Sequence, residues 1–243
     1  DETASDPIDQ YRKVNVEGTR NLARQAARNG VRRFVYVSSV KAAGERTVGK
    51  ALNETNSPWP EDAYGISKLE AEQALINELE ATCVEWVVVR PPLVFGPGVK
   101  ANLLSLSKAV LRGVPLPLKS IENRRSLVGL TNLADFLVHC VSHPDAKNQV
   151  FFVSDGDDMS TAQLVREIGR AAGKPARLWA MPPDILRFVA TLLGKRAAID
   201  KITTSLQVDI SKARSELGWG PKITSVQELN RMVAAILSES RTP

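Results

Sequence analysis

Arg33-Phe34-Val35-Tyr36-Val37-Ser38-Ser39 is the stretch on which the reading of the fold turns. Phe34 to Val37 offer water no polar face, so residues 33–38 read as a strand buried on both sides, as parallel strands between helix layers are. The strand ends in two hydroxyls, at the edge where open α/β sheets place their ligands. Ahead of it, Ser5-Asp6-Pro7 reads as a helix start, a capping side chain followed by proline in the first turn. Ile8, Tyr11, Val14, Gly18, Leu22 and Ala26 then recur at helical spacing until Asn29-Gly30 stops them. Behind it, residues 41–62 form a polar loop with Pro58 and Pro60, long enough to border a ligand. A second helix runs from Tyr64 to about Ala81, and Val84–Arg90 is a second all-apolar strand. This alternation predicts a doubly wound parallel α/β sheet.

Tyr64-Gly65-Ile66-Ser67-Lys68 opens the second helix. Four residues are one helical turn, so the phenol and the ammonium share a face. A free phenol titrates near ~10, too high for easy proton exchange at neutral pH. A fixed cation beside it favours the phenolate, so Lys68 is expected to bring Tyr64 toward working range. With Ser39 at the strand end, Tyr64 and Lys68 make an acid–base centre for a sugar or alcohol hydroxyl.

Composition narrows the class. At 243 residues, with 43% hydrophobic and 24% charged residues, the chain is an ordinary globular protein of one domain or one and a half. A net charge of +5 raises the question of nucleic acid, but no basic block with interleaved aromatics occurs, so solvated surface plus an anionic small substrate is the reading. No apolar run reaches ~18 residues and no signal peptide opens the chain, so neither a membrane partner nor secretion is expected. Cys83 and Cys140 fit a buried strand and a helix as reduced thiols, which points to the cytoplasm. His139 and His143 are the only histidines and have no ligand-spaced partners, so no metal is expected. There is no Gly-x-Ser-x-Gly elbow for a serine hydrolase.

Beyond Gly98 the pattern becomes more mixed. Helices are predicted at Ala101–Arg112, from a Thr131 cap to Val141, at Thr161–Ala172, Pro182–Leu193, Ser211–Leu217 and Ser225–Leu237. Short strands are predicted at Val114–Leu118, Ser126–Val128 and residues 177–181, with a third sheet strand at Val150–Val153.

Taken in order, Asn15-x-x-Gly18-Thr19-x-Asn21-Leu22, the Ser38-Ser39 strand, Tyr64-x-x-x-Lys68 and Arg90-Pro91-Pro92-Leu93-Val94-Phe95-Gly96-Pro97-Gly98 resemble one family. It is the extended short-chain dehydrogenase/reductase superfamily, and within it the nucleotide-sugar epimerases, dehydratases and 4-keto reductases. The resemblance covers nearly the whole chain. It implies a Rossmann-like sheet with residues 1–98 as the C-terminal portion of an NAD(P)-binding domain. Residues 99–243 would be mainly substrate-binding, with 131–154 returning a helix and a strand to the sheet. The Gly-rich turn that meets a dinucleotide pyrophosphate is not found in these residues, and Gly96-Pro97-Gly98 lacks its spacing. The chain is therefore expected to be a portion of a longer reductase, inactive alone, with Phe34–Val37 on an exposed sheet edge.

By the same resemblance, Tyr64 is the catalytic acid/base, Lys68 holds the nicotinamide ribose and Ser39 bonds the reacting hydroxyl. Ser38, Asn15, Pro91 and Pro92 would adjoin the cofactor, NAD, with NADP the alternative. Asn102 and Leu103 would meet the substrate diphosphate from a helix start, Arg125 would pair with it, and Leu118 would flank the base. The closing Val208-Asp209-Ile210-Ser211-Lys212-Ala213…Leu217-Gly218-Trp219 stretch is assigned to structure. A homodimer through helices 7–29 and 64–81 is implied.

Three departures stand out: Ala43-Gly44 where many members have Tyr-Gly, Leu93 where many have asparagine, and no clear Arg-x-x-Asp pair near residues 196–205. The expected function is NAD(P)-dependent epimerisation or 4-keto reduction of a nucleotide-diphosphate sugar, a UDP-sugar first. The alternatives are a hydroxysteroid or flavonoid-type alcohol dehydrogenase, against which Asn102 and Arg125 speak, and a non-catalytic binding protein of the same fold.

Overall fold

A computed structural model describes residues 7–192, 194 and 196–239. The Ser5-Asp6 cap lies outside the described residues. The chain divides into two compact units: one made of the residues up to Pro92 with Leu133–Ser154 and Val208–Gly220, the other of Leu93–Asn132, Asp155–Gln207 and the residues from Pro221 on.

The first unit begins with a continuous helical segment of three parts, α1 (Pro7–Tyr11), a π-helical stretch (Arg12–Glu17) and α2 (Gly18–Arg28). β1 (Arg33–Val37), α3 (Ala63–Leu79), β2 (Glu85–Arg90), and, after the excursion into the second unit, α5 (Leu130–Ser142) and β5 (Gln149–Phe152) follow. The sheet has the order β1-β2-β5 and is parallel throughout, with Val35 opposite Val87 and Val89 opposite Phe151. Among the described residues, β1 pairs on one side only, with β2.

Both faces of this sheet are covered. Leu75 and Leu79 of α3 and Ala23 of α2 pack with Val88, Phe34, Tyr36 and Val150. Successive strand residues point to opposite faces, so the neighbour of Val150, Phe151, meets Phe136 of α5 edge-on at 6.1 Å on the other side, where Trp219 also meets Phe136 edge-on at 4.7 Å. Local sequence explains the ends of these elements. Asp62 caps α3 by accepting from Gly65 N–H at 2.7 Å, and α9 (Ser211–Leu217) ends on Gly218 in the left-handed region. Arg33 pairs with Glu85 and also donates to the carbonyls of Cys140 and His143, closing the C-terminus of α5. Arg12 and Arg24 form two-pronged pairs with Glu70 and Glu78 across the helices. Trp219 donates from its indole to Asp135, which gives the closing Leu-Gly-Trp stretch the structural role expected of it.

The second unit has its own core, in which Phe95, Leu127, Val165, Ile168, Leu229 and Met232 are buried. β3 (Leu93–Phe95) and β4 (Leu127–Gly129) pair in parallel, surrounded by α4 (Ala101–Leu111), α6 (Thr161–Ala171), α7 (Pro183–Leu192), α8 (Arg196–Thr203) and α10 (Ser225–Glu239). α6 starts with a reciprocal capping box between Ser160 and Gln163.

Several expectations need correction. Residues 114–118 and 177–181 are not strands; only Leu116 and Leu178 form an isolated bridge, because two prolines in the first run remove the donors a ladder requires. α5 starts at Leu130, and Thr131 does not cap it, since its hydroxyl donates to the buried carboxylate of Glu228. α8 and β3 were not anticipated. Cys83 is exposed ahead of β2, whereas Cys140 is buried and its thiol is pushed up to about 12 by that burial. Among the described residues no helix is long and apolar enough to cross a membrane, and no metal-binding cluster of His, Cys, Asp and Glu occurs.

Candidate active site

The carboxyl ends of β1 and β2 and the first turns of α3 bring Ser38, Ser39, Tyr64, Lys68, Pro91 and Pro92 into the same unit. Ser39 leaves β1 extended and caps a 3₁₀ turn at Val40–Ala42, accepting from Lys41 N–H at 3.2 Å. That turn is locked against α3, since a Cβ on Gly65 would stand 2.6 Å from the Lys41 carbonyl oxygen. Only glycine lets the Tyr64 helix approach so closely. Pro91 and Pro92 are buried, and the Pro91 carbonyl accepts from Val40 N–H at 2.9 Å.

Burial raises the Tyr64 phenol above its ordinary value, and a hydrogen bond with Ser39 and the nearby Lys41 ammonium pull the other way. The expected depression by Lys68 is therefore corrected. The Lys68 ammonium lies 5.9 Å from the Tyr64 ring centroid and donates instead to the Tyr36 hydroxyl (3.3 Å) and the Val37 carbonyl (3.1 Å). Lys68 is itself held below the ordinary lysine value by burial.

Lys41 is a participant that the sequence reading missed. Its ammonium pairs with Asp62 and, at 3.4 Å, with Glu45. Burial would lower it, but these carboxylates raise it overall, while Asp62, despite its own burial, is held below the usual carboxylate range. A fixed positive charge thus stands near the phenol, supplied from the loop after β1. The Ser39-Val40-Lys41 spacing is the one signal in the sequence that could have shown it.

Asn15 lies in the π-helical stretch and donates to Ser67 Oγ at 2.9 Å, and Ser67 in turn donates to the Tyr64 carbonyl at 2.8 Å. Its place is behind Tyr64. π-helical turns widen the helix locally and re-aim the side chains they carry.

Beneath these groups lies a buried ion pair. Arg90 donates to Glu72 through Nε (3.0 Å) and Nη2 (2.6 Å), and Ser38 Oγ donates to the same carboxylate at 2.5 Å. Ser38 is thus engaged with the protein interior, and one carboxylate links the ends of β1 and β2 to α3.

Tyr36 carries a pH dependence. Burial pushes its phenol up to about 12, with Thr19 hydrogen-bonding to it and Glu72, Tyr64 and Lys68 nearby. An unfolded chain ionises a tyrosine near ~10, so between pH 10 and about 12 the unfolded state sheds a proton that the native state keeps. The contribution is complete below ~10 and is lost as pH rises through that window. Urea midpoints at about pH 9 and about pH 11 are expected to differ less in Tyr36→Phe than in the parent. An unchanged difference would remove Tyr36 as its source.

In the second unit, Asn102 and Leu103 line a cavity of about 430 Å³ with Gly96, Gly98, Lys100 and Leu130. Gly96 is required there because a Cβ would meet Glu228 Oε1 at 2.6 Å, and Ala101 opens α4 at φ 52°, which is strained for a residue with a side chain. Asn102 is exposed and Leu103 is mostly core. Leu118 is a correction: at 4% exposure it is a core residue with little surface for a base. Arg125 uses Nη1 on the carbonyls of Lys201 (2.7 Å) and Thr204 (3.0 Å), closing the C-terminus of α8, and burial lowers its guanidinium below the usual value.

A half-buried serine–tyrosine pair thus stands at the carboxyl end of a parallel strand, flanked by two lysines. Residues 1–154 match the model of the NAD dependent epimerase/dehydratase family, and the chain belongs to that family. It is 45% identical over 241 residues to a UDP-glucose 4-epimerase of Vibrio cholerae, covering 98% of this chain and 73% of that one. It is 28% identical to a 3 beta-hydroxysteroid dehydrogenase/Delta 5-->4-isomerase of Mycobacterium tuberculosis, over 95% and 69% of the two chains. The fold matches the crystal structure of UDP-glucuronic acid 4-epimerase from Bacillus cereus in complex with NAD, with TM-score 0.79 and 18% identity, over 98% of this chain and 72% of that one.

The residues of this chain fit the nicotinamide-ribose end of NAD. Lys68 offers an ammonium at the carboxyl end of β1, where it already satisfies a hydroxyl and a carbonyl, and Tyr64, Ser39, Pro91 and Pro92 border the same strand ends. A Gly-rich pyrophosphate turn is not among the 243 residues.

Proposed function

We propose that this chain carries the acid–base and substrate-binding residues of an NAD-dependent nucleotide-sugar 4-epimerase, with a UDP-sugar as substrate. The observation that carries this reading is the Ser39–Tyr64 pair beside the Lys41 charge, at a strand end suited to a ligand. The 45% identity to a UDP-glucose 4-epimerase favours this substrate class over the alcohol dehydrogenases, at 28%.

NAD, when bound, supplies the acceptor and donor of the C4 hydride. Tyr64 takes the proton of the C4 hydroxyl and returns it after the sugar has presented its other face. Ser39 holds the same oxygen, so that it stays within reach of the phenol through both half-reactions. Burial leaves Tyr64 protonated at neutrality, and the Lys41 ammonium is the charge that favours its phenolate. Run in one direction, with Tyr64 as acid, the same residues reduce a 4-keto sugar.

Residues 1–98 are assigned to the cofactor side and 99–243 mainly to the substrate, with the exposed Asn102 at a helix start facing the diphosphate and Leu103 packed in the core behind it. Arg125 pairs with it through the guanidinium nitrogens other than Nη1. A cytoplasmic homodimer through helices 7–29 and 64–81 is part of this reading, supported by Val14 and Leu22, which are 71% and 62% exposed on the first of them.

The test is calorimetric titration with UDP-N-acetylglucosamine. Saturable binding is expected, weakened about tenfold or more in Arg125→Ala, the loss of a charge-assisted hydrogen bond. A parent protein that is folded by circular dichroism and takes up no UDP-sugar would overturn the reading.

A further inference from the structure

The cavity of about 430 Å³ between the end of β3 and the start of α4 is apolar or uncharged along nearly all of its lining, from Leu93 and Phe95 to Asn102 and Leu130. Lys100 is the one charged residue among those that line it. It is exposed, and among the described residues no carboxylate or other side chain holds its ammonium. Glu228, the carboxylate packed beneath Gly96, is buried and committed elsewhere. It accepts from the Thr131 hydroxyl at 2.9 Å and lies 3.7 Å from Arg231. The cavity therefore carries an unpaired positive charge that the proposed function has not used.

The backbone fixes where this charge sits. Val99 N–H closes a turn on the Gly96 carbonyl at 3.2 Å, and left-handed backbone at Gly98 (φ 77°) and Ala101 (φ 52°) bends the chain on either side of Lys100. Lys100 is the residue that precedes α4, yet its side chain makes no capping bond, so the ammonium is free for a ligand. A diphosphate in this cavity needs a cation. Arg125 is not among the residues that line it and spends Nη1 on the end of α8. Asn102 can donate a hydrogen bond but brings no charge. An ammonium on a flexible stem meets phosphate oxygens as a point charge with three donors. An apolar alcohol would leave this charge without a partner, and a metal cation would be repelled by it.

Resting on the UDP-sugar reading above, we propose that Lys100 is the cation that meets the substrate diphosphate at this cavity, a binding residue additional to Asn102 and Arg125. The ammonium stands at an exposed rim, so its pull on the phosphates is screened as salt is added.

The experiment is calorimetric titration of the full chain with UDP at low and at high salt. Lys100→Met is expected to weaken UDP binding about tenfold at low salt and by less at high salt, where screening has already removed part of the parent's gain. Lys100→Arg keeps the charge and is expected to retain most of the affinity. Lys108→Met removes the same charge from an exposed position of α4 that does not line the cavity, and is expected to change little. Circular dichroism checks each fold, and Lys100→Gln serves should Lys100→Met not fold. Equal affinity in the parent and Lys100→Met overturns the proposal and leaves the UDP-sugar reading standing. A folded parent that takes up no UDP overturns both. Equal losses in Lys100→Met and Lys108→Met would mean attraction by the overall charge of the helix and overturn the proposal. A loss that salt leaves unchanged would make Lys100 a structural residue and overturn it as well.

Discussion

Glu72→Ala is expected to lower the stability of the first unit by about 3–5 kcal/mol, because it leaves Arg90 charged and unpaired in the interior. Both side chains are almost fully buried, and Ser38 loses its acceptor in the same substitution. The number is large for a single residue because the desolvation of Arg90 remains while its compensation is removed. Replacing both partners, as in Glu72→Met/Arg90→Met, is expected to recover most of the loss, since no buried charge is then left. Urea denaturation of the three proteins decides the matter. A loss below about 1 kcal/mol in Glu72→Ala would place the pair in contact with water, contrary to its burial.

In a protein that joins this chain to a Gly-rich pyrophosphate-binding turn, Tyr64→Phe should lower the rate of UDP-sugar turnover by about 10²–10⁴-fold with little change in affinity for the sugar nucleotide. The phenol hydroxyl is the only atom removed, and the ring keeps its edge-on contact with Tyr11 at 5.7 Å. The packing of α3 therefore stays, and the change isolates proton transfer at C4. Steady-state kinetics separates the cases. A variant with unaltered kcat would take the acid–base role from Tyr64. Loss of affinity at constant kcat would make the residue a binding group.

The parallel sheet and the α3 active-site turn were legible because both are local patterns. An all-apolar run such as Phe34–Val37 has few other solutions, and the Tyr64–Lys68 spacing lies within a single helical turn. The residues that were missed are joined across long stretches of chain. Lys41 meets Asp62 only once the loop between them has folded back. Arg90 and Glu72 look like an ordinary strand end and an ordinary helix carboxylate until the sheet brings them together. Leu118 was read as a substrate neighbour, yet tertiary packing made it core. The prolines at 115 and 117 hid the opposite error, since their run has the hydrophobicity of a strand without its donors. Lys68 is a different case. Its spacing from Tyr64 is right, but rotation about four side-chain bonds gives it other partners, and spacing does not fix such a rotation.

The π-helical stretch Arg12–Glu17 bears on how this protein tolerates insertions and deletions. A π turn accommodates roughly one more residue than an α turn, so its length is a count as well as a shape. Removing one residue there would let a regular α-helix close the gap with the turns on either side still in register, so Arg12 would keep Glu70 and Tyr11 would keep Tyr64. Asn15, whose side chain the wide turn aims, would leave Ser67, and with it the support of the Tyr64 carbonyl. Point substitutions at the exposed Lys13 and Val14 touch none of these contacts. The stretch can thus lose one residue without turning a helix, and what such a loss undoes is the aim of a single side chain.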